Sequence, residues 1–429
     1  MASNAKMLAS TTDTMASRFQ RSVLLWANGM VKTGVTLGAP LRFSTGVLVS
    51  FLVCAPALLD LLRPQTWAAP APSKSATAGN EILLGQSAPL AGRSRQLGLD
   101  YRDGALAWFA EVNRRGGIHG RRIRLISLDD NYEPQLTVRN TKRLINQDKV
   151  FALFGYVGTP TVKAILPLVE QAQIPLVAPL TGATVLRRPF RPLVINLRAS
   201  YAMEIEKIVN NLVRSGRQQI AVLHQNDSFG KNGLAGVQKA LARRGLNPKA
   251  IATIQRNSTQ AGEAARLIHA AKPSAVIIVA AYPSAAAFSL EMKKRGSNAQ
   301  LMNVSFVDTQ SLRDALPTDA AIGIGISQVV PFPWNRRLPV VAEYQTLMQK
   351  QQGRANYGFT SLEGFLAAKL ISTAIEQSGR PPSRQGLLSA FNRMQSLNLG
   401  GFQVSLSKGD HQASDYVDLT FLPPQRWAP

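Results

Sequence analysis

The residues best placed to do chemistry lie in one stretch, 150–184, which reads VFALFGYVGTPTVKAILPLVEQAQIPLVAPLTGAT. An apolar run at 150–154 leads into Gly155-Tyr156-Val157-Gly158, and Thr159-Pro160-Thr161 then opens a helical pattern. Thr is a preferred N-cap and Pro a preferred first helical residue, so the spacing predicts a helix that starts at Thr159, with Thr159 as its cap. The free N–H groups of a helix start attract negative charge. A second apolar run, 174–178, ends in Pro179-Leu180-Thr181-Gly182-Ala183-Thr184 and puts a second hydroxyl cluster on the edge of the next strand. Neighbouring strand ends of a parallel sheet are where open α/β folds bind ligands. The chemistry implied is an anion cradle for a small molecule, with Thr159 and Thr161 first among the candidates. Plain helix capping accounts for Thr159 without a ligand.

Other chemistries find little support. His119, His224, His269 and His411 have no metal-ligand spacing. His224, Asp227 and Ser228 sit on one loop, too close in sequence for a nucleophilic triad. Gly323 and Gly325 lack the third glycine and the helix of a nucleotide loop, and no phosphate-binding P-loop occurs. The expectation is a protein that is not an enzyme and uses no cofactor; any ATP hydrolysis would belong to a partner.

The elements that position these residues alternate. A strand at 81–87 precedes apolar Leu97, Tyr101, Ala105, Trp108, Phe109 and Val112 at helical spacing. A strand at 123–128 and a helix at 136–147 follow, which gives a parallel, doubly wound sheet. A second series has helices at 202–215, 230–244, 260–271 and 284–295, and strands at 219–224, 250–254, 275–280 and 301–304. A short helix near Gln310 and a strand at 321–330 end it at Pro331-Phe332-Pro333, punctuation that suits a crossing between domains. Helices at 339–351, 361–378 and 384–394 and strand-like stretches at 401–406 and 416–421 complete the chain. The fold class is α/β.

Residues 1–79 differ in character. They hold seven basic and two acidic residues, and an uncharged run at 43–59 precedes Thr66-Trp67-Ala68, the order of a secretory signal with a cleavage site. Met30 is an alternative start, and an uncleaved anchor at 43–62 is an alternative to cleavage. The only cysteine, Cys54, lies inside this run, so a cleaved chain would have no disulfide or thiol chemistry. The chain has 49 basic against 25 acidic side chains, an excess that can signal nucleic acid. Many of its cations pair at helix ends before glycine, as in Arg114-Arg115-Gly116, Arg243-Arg244-Gly245 and Lys294-Arg295-Gly296. There they complement the helix dipole, and a solvated basic surface without nucleic acid is the expectation.

From about Glu81 to Phe421 the chain resembles the periplasmic leucine/isoleucine/valine-binding proteins, the type I solute-binding proteins of ABC importers. Besides the stretch at 150–184, the motifs that carry this are Gln86-Ser87-Ala88-Pro89-Leu90-Ala91-Gly92, Asn113-Arg114-Arg115-Gly116-Gly117-Ile118 and Asp129-Asp130-Asn131-Tyr132-Glu133-Pro134. The resemblance implies two interleaved lobes joined by a hinge, 80–200 with 329–400 and 201–328 with 401–429. It implies a monomer in the periplasm that hands a small carboxylate ligand, such as a branched-chain amino acid, to an importer permease. Thr159 and Thr161 would hold the carboxylate, and Leu180, Thr181 and Gly182 would add a backbone contact and a hydroxyl. Gly182 stands where the family has a threonine, with Thr181 one step earlier. Phe229 and Tyr282 would close over the ligand, and Tyr156 is a further candidate. Two departures stand out. The acid that holds an ammonium in the family falls near Ser305 or Phe306, and Leu97 replaces an aromatic. Either Asp308 or Glu363 reaches the site, or the ligand is an amide or a carboxylate that is not an amino acid. A membrane-anchored sensor of the same fold is the other reading.

Overall fold

Residues 79–353, 357–424 and 427 are described by the structure, a computed structural model. The signal or anchor expected upstream, with Cys54, lies outside the described residues. The first sheet is made of β1 (Glu81–Ala88), β2 (Arg122–Asp129), β3 (Ala152–Phe154), β4 (Leu176–Val177) and β5 (Val194–Ile195). Its order is β2-β1-β3-β4-β5 and every pairing is parallel. Helices α1 (Arg95–Arg114), α2 (Pro134–Asn146) and α3 (Thr159–Gln171) connect its strands. Short apolar strands such as β3 and β4 read as continuous hydrophobic runs because both of their faces are buried.

Helix α4 (Tyr201–Arg214) leads into the second series: β6 (Ile220–Gln225), α5 (Ser228–Ala242), β7 (Ile251–Ile254), α6 (Gly262–Ala270), β8 (Ala275–Val279), α7 (Tyr282–Lys294) and β9 (Gln300–Asn303). Then come α8 (Thr309–Asp314), α9 (Thr318–Ala321), β10 (Gly325–Gln328), α10 (Pro339–Gln352), α11 (Phe359–Glu376) and α12 (Arg384–Asn392). A small hairpin of β11 (Leu397–Asn398) and β12 (Gln403–Val404) precedes β13 (Asp418–Phe421). The second sheet has the order β13-β10-β9-β8-β6-β7, with only β13 antiparallel. The α/β class with parallel sheets is the one expected.

Several expected strands are shorter, among them 174–178, of which only β4 forms. Of 321–330 only β10 forms, because the preceding residues wind into α9, where Ala320 and Ala321 donate to the Pro317 carbonyl (2.9 and 3.1 Å). Of 401–406 only β12 forms, and Ser405 donates instead to the Ala413 carbonyl (2.8 Å). The expected sequence also contained no strand at β5.

Helices α10 and α11 return to pack on α1. The α1–α11 crossing is close because glycine faces backbone on both sides. A β-carbon on Gly104 would lie 1.8 Å from the Ser361 carbonyl oxygen, and one on Gly364 2.0 Å from that of Tyr101. This crossing sets where Tyr101 and Glu363 stand. Gly364→Ala is expected to force the helices apart and lower unfolding free energy by about 1–3 kcal/mol in urea titration. An unchanged midpoint and slope would contradict the close approach.

Candidate functional site

Strands β3 and β4 end side by side, and the loops beyond them are zipped together. Leu180 donates to the Tyr156 carbonyl (2.7 Å) and Gly158 to the Leu180 carbonyl (3.2 Å). The zip brings the Thr159 and Thr181 hydroxyls to 2.7 Å, both buried. The pair has two hydroxyl hydrogens and uses one between its members, so one is left to donate elsewhere. Helix α3 begins at Thr159 as expected, but its cap is Gly158, not Thr159. Gly158 has φ +94°, and a β-carbon there would lie 2.2 Å from the Tyr132 ring, so the turn accepts glycine alone and frees the Thr159 hydroxyl for Thr181.

The neighbouring candidates fall elsewhere. Thr161 turns its hydroxyl back onto the Val157 and Gly158 carbonyls. Tyr156 points into the core against the Thr141 hydroxyl (3.0 Å), and burial pushes its phenol well up. Leu180 commits its N–H and carbonyl to the zip. The Gly182 carbonyl accepts from the Tyr201 N–H (2.8 Å), and a β-carbon on Gly182 would come within 2.6 Å of that nitrogen. Leu97 is core of α1.

Phe229 sits in the first turn of α5, which Asp227 caps by accepting from the Phe229 and Gly230 N–H groups (2.9 and 3.3 Å). Its ring continues a row of four buried rings: Tyr132 to Phe306 (5.8 Å between centroids), Phe306 to Phe229 (4.8 Å) and Phe229 to Tyr201 (5.2 Å). Tyr282, first residue of α7, is only half-buried and donates its hydroxyl to the Arg93 carbonyl. That bond belongs to a set of contacts between loops of the first sheet and loops of the second, with Arg256 to Glu133 (2.6 Å) and Ser94 to Asn257 (2.9 Å).

The third strand end of the row, after β5, carries Arg198-Ala199-Ser200-Tyr201. Arg198 is buried; its Nη2 donates to the Ser305 hydroxyl (2.6 Å) and its Nε lies 3.1 Å from Glu363 Oε1. Nη1 has no partner. Glu204, in the first turn of α4, accepts through Oε2 from the Ser305 N–H (2.8 Å) and the Ser327 hydroxyl (2.6 Å), while Oε1 has no partner. The Tyr201 hydroxyl reaches no partner at hydrogen-bond geometry, although Thr181 lies beside it; burial pushes the phenol up to about 12 against the pull of Arg198. Arg187 ties the site together, donating to the Ala183 carbonyl (3.1 Å), the Arg198 carbonyl (2.8 Å) and Gln412 (2.9 Å). Asp308 is occupied as the cap of α8, accepting from Ser311 (2.7 Å).

The sequence pointed to Thr159, Thr181, Phe229, Ser305 and Glu363, which the fold gathers, and to Phe306 only as the place of an absent acid; it did not point to Arg198, Tyr201, Glu204 or Tyr132. The signal for Arg198 and Tyr201 was the short apolar pair Val194-Ile195 that forms β5. A cavity of about 250 Å³ adjoins this cluster on the far side of Arg187, lined also by Ser200, Arg188, Phe190 and His411.

Residues 81–421 match the family model described as periplasmic binding protein. The chain belongs to the periplasmic binding protein family. It is similar to an amino acid binding protein of Pseudomonas aeruginosa, 24% identical over 67% of this chain and 78% of that one. A substrate-binding periplasmic protein from Ralstonia solanacearum superposes with a TM-score of 0.77 at 33% identity, over 80% of this chain and 98% of that one. A Rhodopseudomonas palustris solute-binding protein solved with 4-hydroxybenzoate shares the fold, with a TM-score of 0.70 at 18% identity over 80% and 92% of the two chains. The family is one of extracytoplasmic solute-binding proteins. Among the described residues no helix is long and apolar enough to cross a membrane.

Burial raises the Glu363 carboxyl from its usual 4.5 to about 7, with Arg198 pulling it down and Glu204 pushing it up. The native state thus holds a proton that the unfolded chain releases. Stability from this group is full below the unfolded value and is lost as pH rises through about 7. Glu363→Gln should remove a pH slope on the order of 3 kcal/mol, read as the difference between wild type and variant in urea unfolding at pH 5 and pH 8. Equal slopes in the two proteins would refute the shift.

Proposed function

We propose that this protein captures a small carboxylate-bearing ligand, an amino acid or a related acid, between its two lobes and delivers it to the permease of an ABC importer. The observation that carries the reading is the Thr159–Thr181 hydroxyl pair, which has a spare donor hydrogen at the adjoining ends of β3 and β4. The first turn of α3 adds N–H groups without intrahelical partners. The second lobe contributes Phe229 and Phe306, and Tyr132 and Tyr201 complete an apolar wall. A ligand that touches donors on the first lobe and rings on the second favours the closed form, because only that form satisfies both. The permease would read closure. The Pseudomonas relative named for amino acid binding and the palustris neighbour holding 4-hydroxybenzoate both bear a carboxylate ligand class consistent with such a cradle.

A thermal-shift screen against leucine, isoleucine, valine, simple carboxylates and amides tests this, since a ligand that binds only the folded state raises the melting temperature. Carboxylates are expected to stabilise, and Thr181→Val to weaken the best of them roughly tenfold or more, the worth of a hydrogen bond to a charged group. A carboxylate that binds Thr181→Val as tightly as wild type would sink the cradle.

A further inference from the structure

Arg198 stands where the chain crosses between the lobes and touches both of them, Glu363 on one side and Ser305 on the other. Its Nη1 is a charged donor, buried and without an acceptor. Such a group is costly to leave unpaired and makes strong, short bonds to carboxylates. The Tyr201 hydroxyl lies close to both Arg198 and Thr181. Donors from three adjacent strand ends thus converge: the Thr159–Thr181 pair after β3 and β4, and Arg198 with Tyr201 after β5.

The charges around this point are balanced. The groups that face Glu363 are Arg198 on the β5–α4 crossing, Arg187 on the loop before β5, Glu204 on α4 and Tyr101 on α1. With neutral Tyr101, and above about pH 7 where Glu363 is ionised, two guanidinium groups offset two carboxylates. A monoanion added to this buried set leaves one negative charge uncompensated, and burying it would be expensive. Protonating Glu363 removes that charge and releases Arg198 for the newcomer. A zwitterion would need no such compensation.

We propose that Arg198 anchors the ligand's carboxylate through Nη1, that the ligand is a monoanionic carboxylate without an ammonium group, and that Glu363 takes a proton from solvent as the ligand binds. The proposal rests on the cleft being the carboxylate site. The ionisable group needed is already poised, because burial holds Glu363 up to about 7. Binding coupled to one proton weakens about tenfold per pH unit above that value.

The test is calorimetry on the purified protein with 4-methylpentanoate, benzoate, 4-methylpentanamide and L-leucine, in two buffers of different ionisation heat, from pH 6 to pH 8.5. A carboxylate should bind with uptake of up to one proton, and its Kd should rise roughly tenfold between pH 7.5 and pH 8.5. The amide should bind more weakly and take up no proton. Glu363→Gln should bind the same carboxylate with a flat pH profile; the wild-type proton count stands even if that variant does not fold. Carboxylate binding without proton uptake would overturn the Arg198–Glu363 exchange and leave the cleft reading intact. A clear preference for L-leucine over 4-methylpentanoate would overturn the monoanion and make Glu204 Oε1 the ammonium acceptor. If no probe binds at any pH, the carboxylate cleft itself falls, and the exchange with it.

Discussion

One buried guanidinium holds the centre of this molecule. Arg198 lies on the crossing after β5 and is shared between Glu363, carried by the α1–α11 pair, and Ser305, carried by the end of β9. A guanidinium taken out of water is tolerable only when its neighbours return what hydration gave it. The α1–α11 crossing, close at Gly104 and Gly364, brings Glu363 to it, Glu204 is held beside it by Ser305 and Ser327, and one donor of Arg198 stays uncommitted. Removing Glu363 would leave the buried guanidinium without its carboxylate.

Closure elsewhere is held more lightly. The loop-to-loop bonds, Arg256 to Glu133 and Ser94 to Asn257, involve partly exposed groups, and contacts of that kind contribute at most about 1 kcal/mol each. The row from Tyr132 to Tyr201 contributes more, through area removed from water and the edge-to-face contact of Phe229 with Phe306. A ligand entering between the Thr159–Thr181 pair and these rings replaces ring-on-ring contact with ring-on-ligand contact.

The doubly wound architecture was legible because strands such as β6 and β8 are apolar runs and the helices between them show a clear apolar face. Thr159, Thr181 and Phe229 were legible for a related reason: each follows an apolar run of four or five residues in the sequence. The cap assignment failed at Gly158, where the Tyr132 ring leaves no room for a side chain and overrides the ordinary preference for threonine. Arg198 was hidden twice over. Its strand, β5, is two residues long, and an arginine in sequence reads as surface, since charged side chains are rarely buried unless paired. The pairing that permits it comes from Glu363, far along the chain, which no local pattern can announce.

The most direct test of the central claim is a crystal structure of the protein with a bound carboxylate such as 4-methylpentanoate. The account predicts the carboxylate within hydrogen-bond distance of Thr181 Oγ1 and Arg198 Nη1, with its apolar tail against Phe229 and Phe306. A ligand found instead in the outer cavity beside Arg188 and His411, with Arg198 still held only by Glu363 and Ser305, would contradict it.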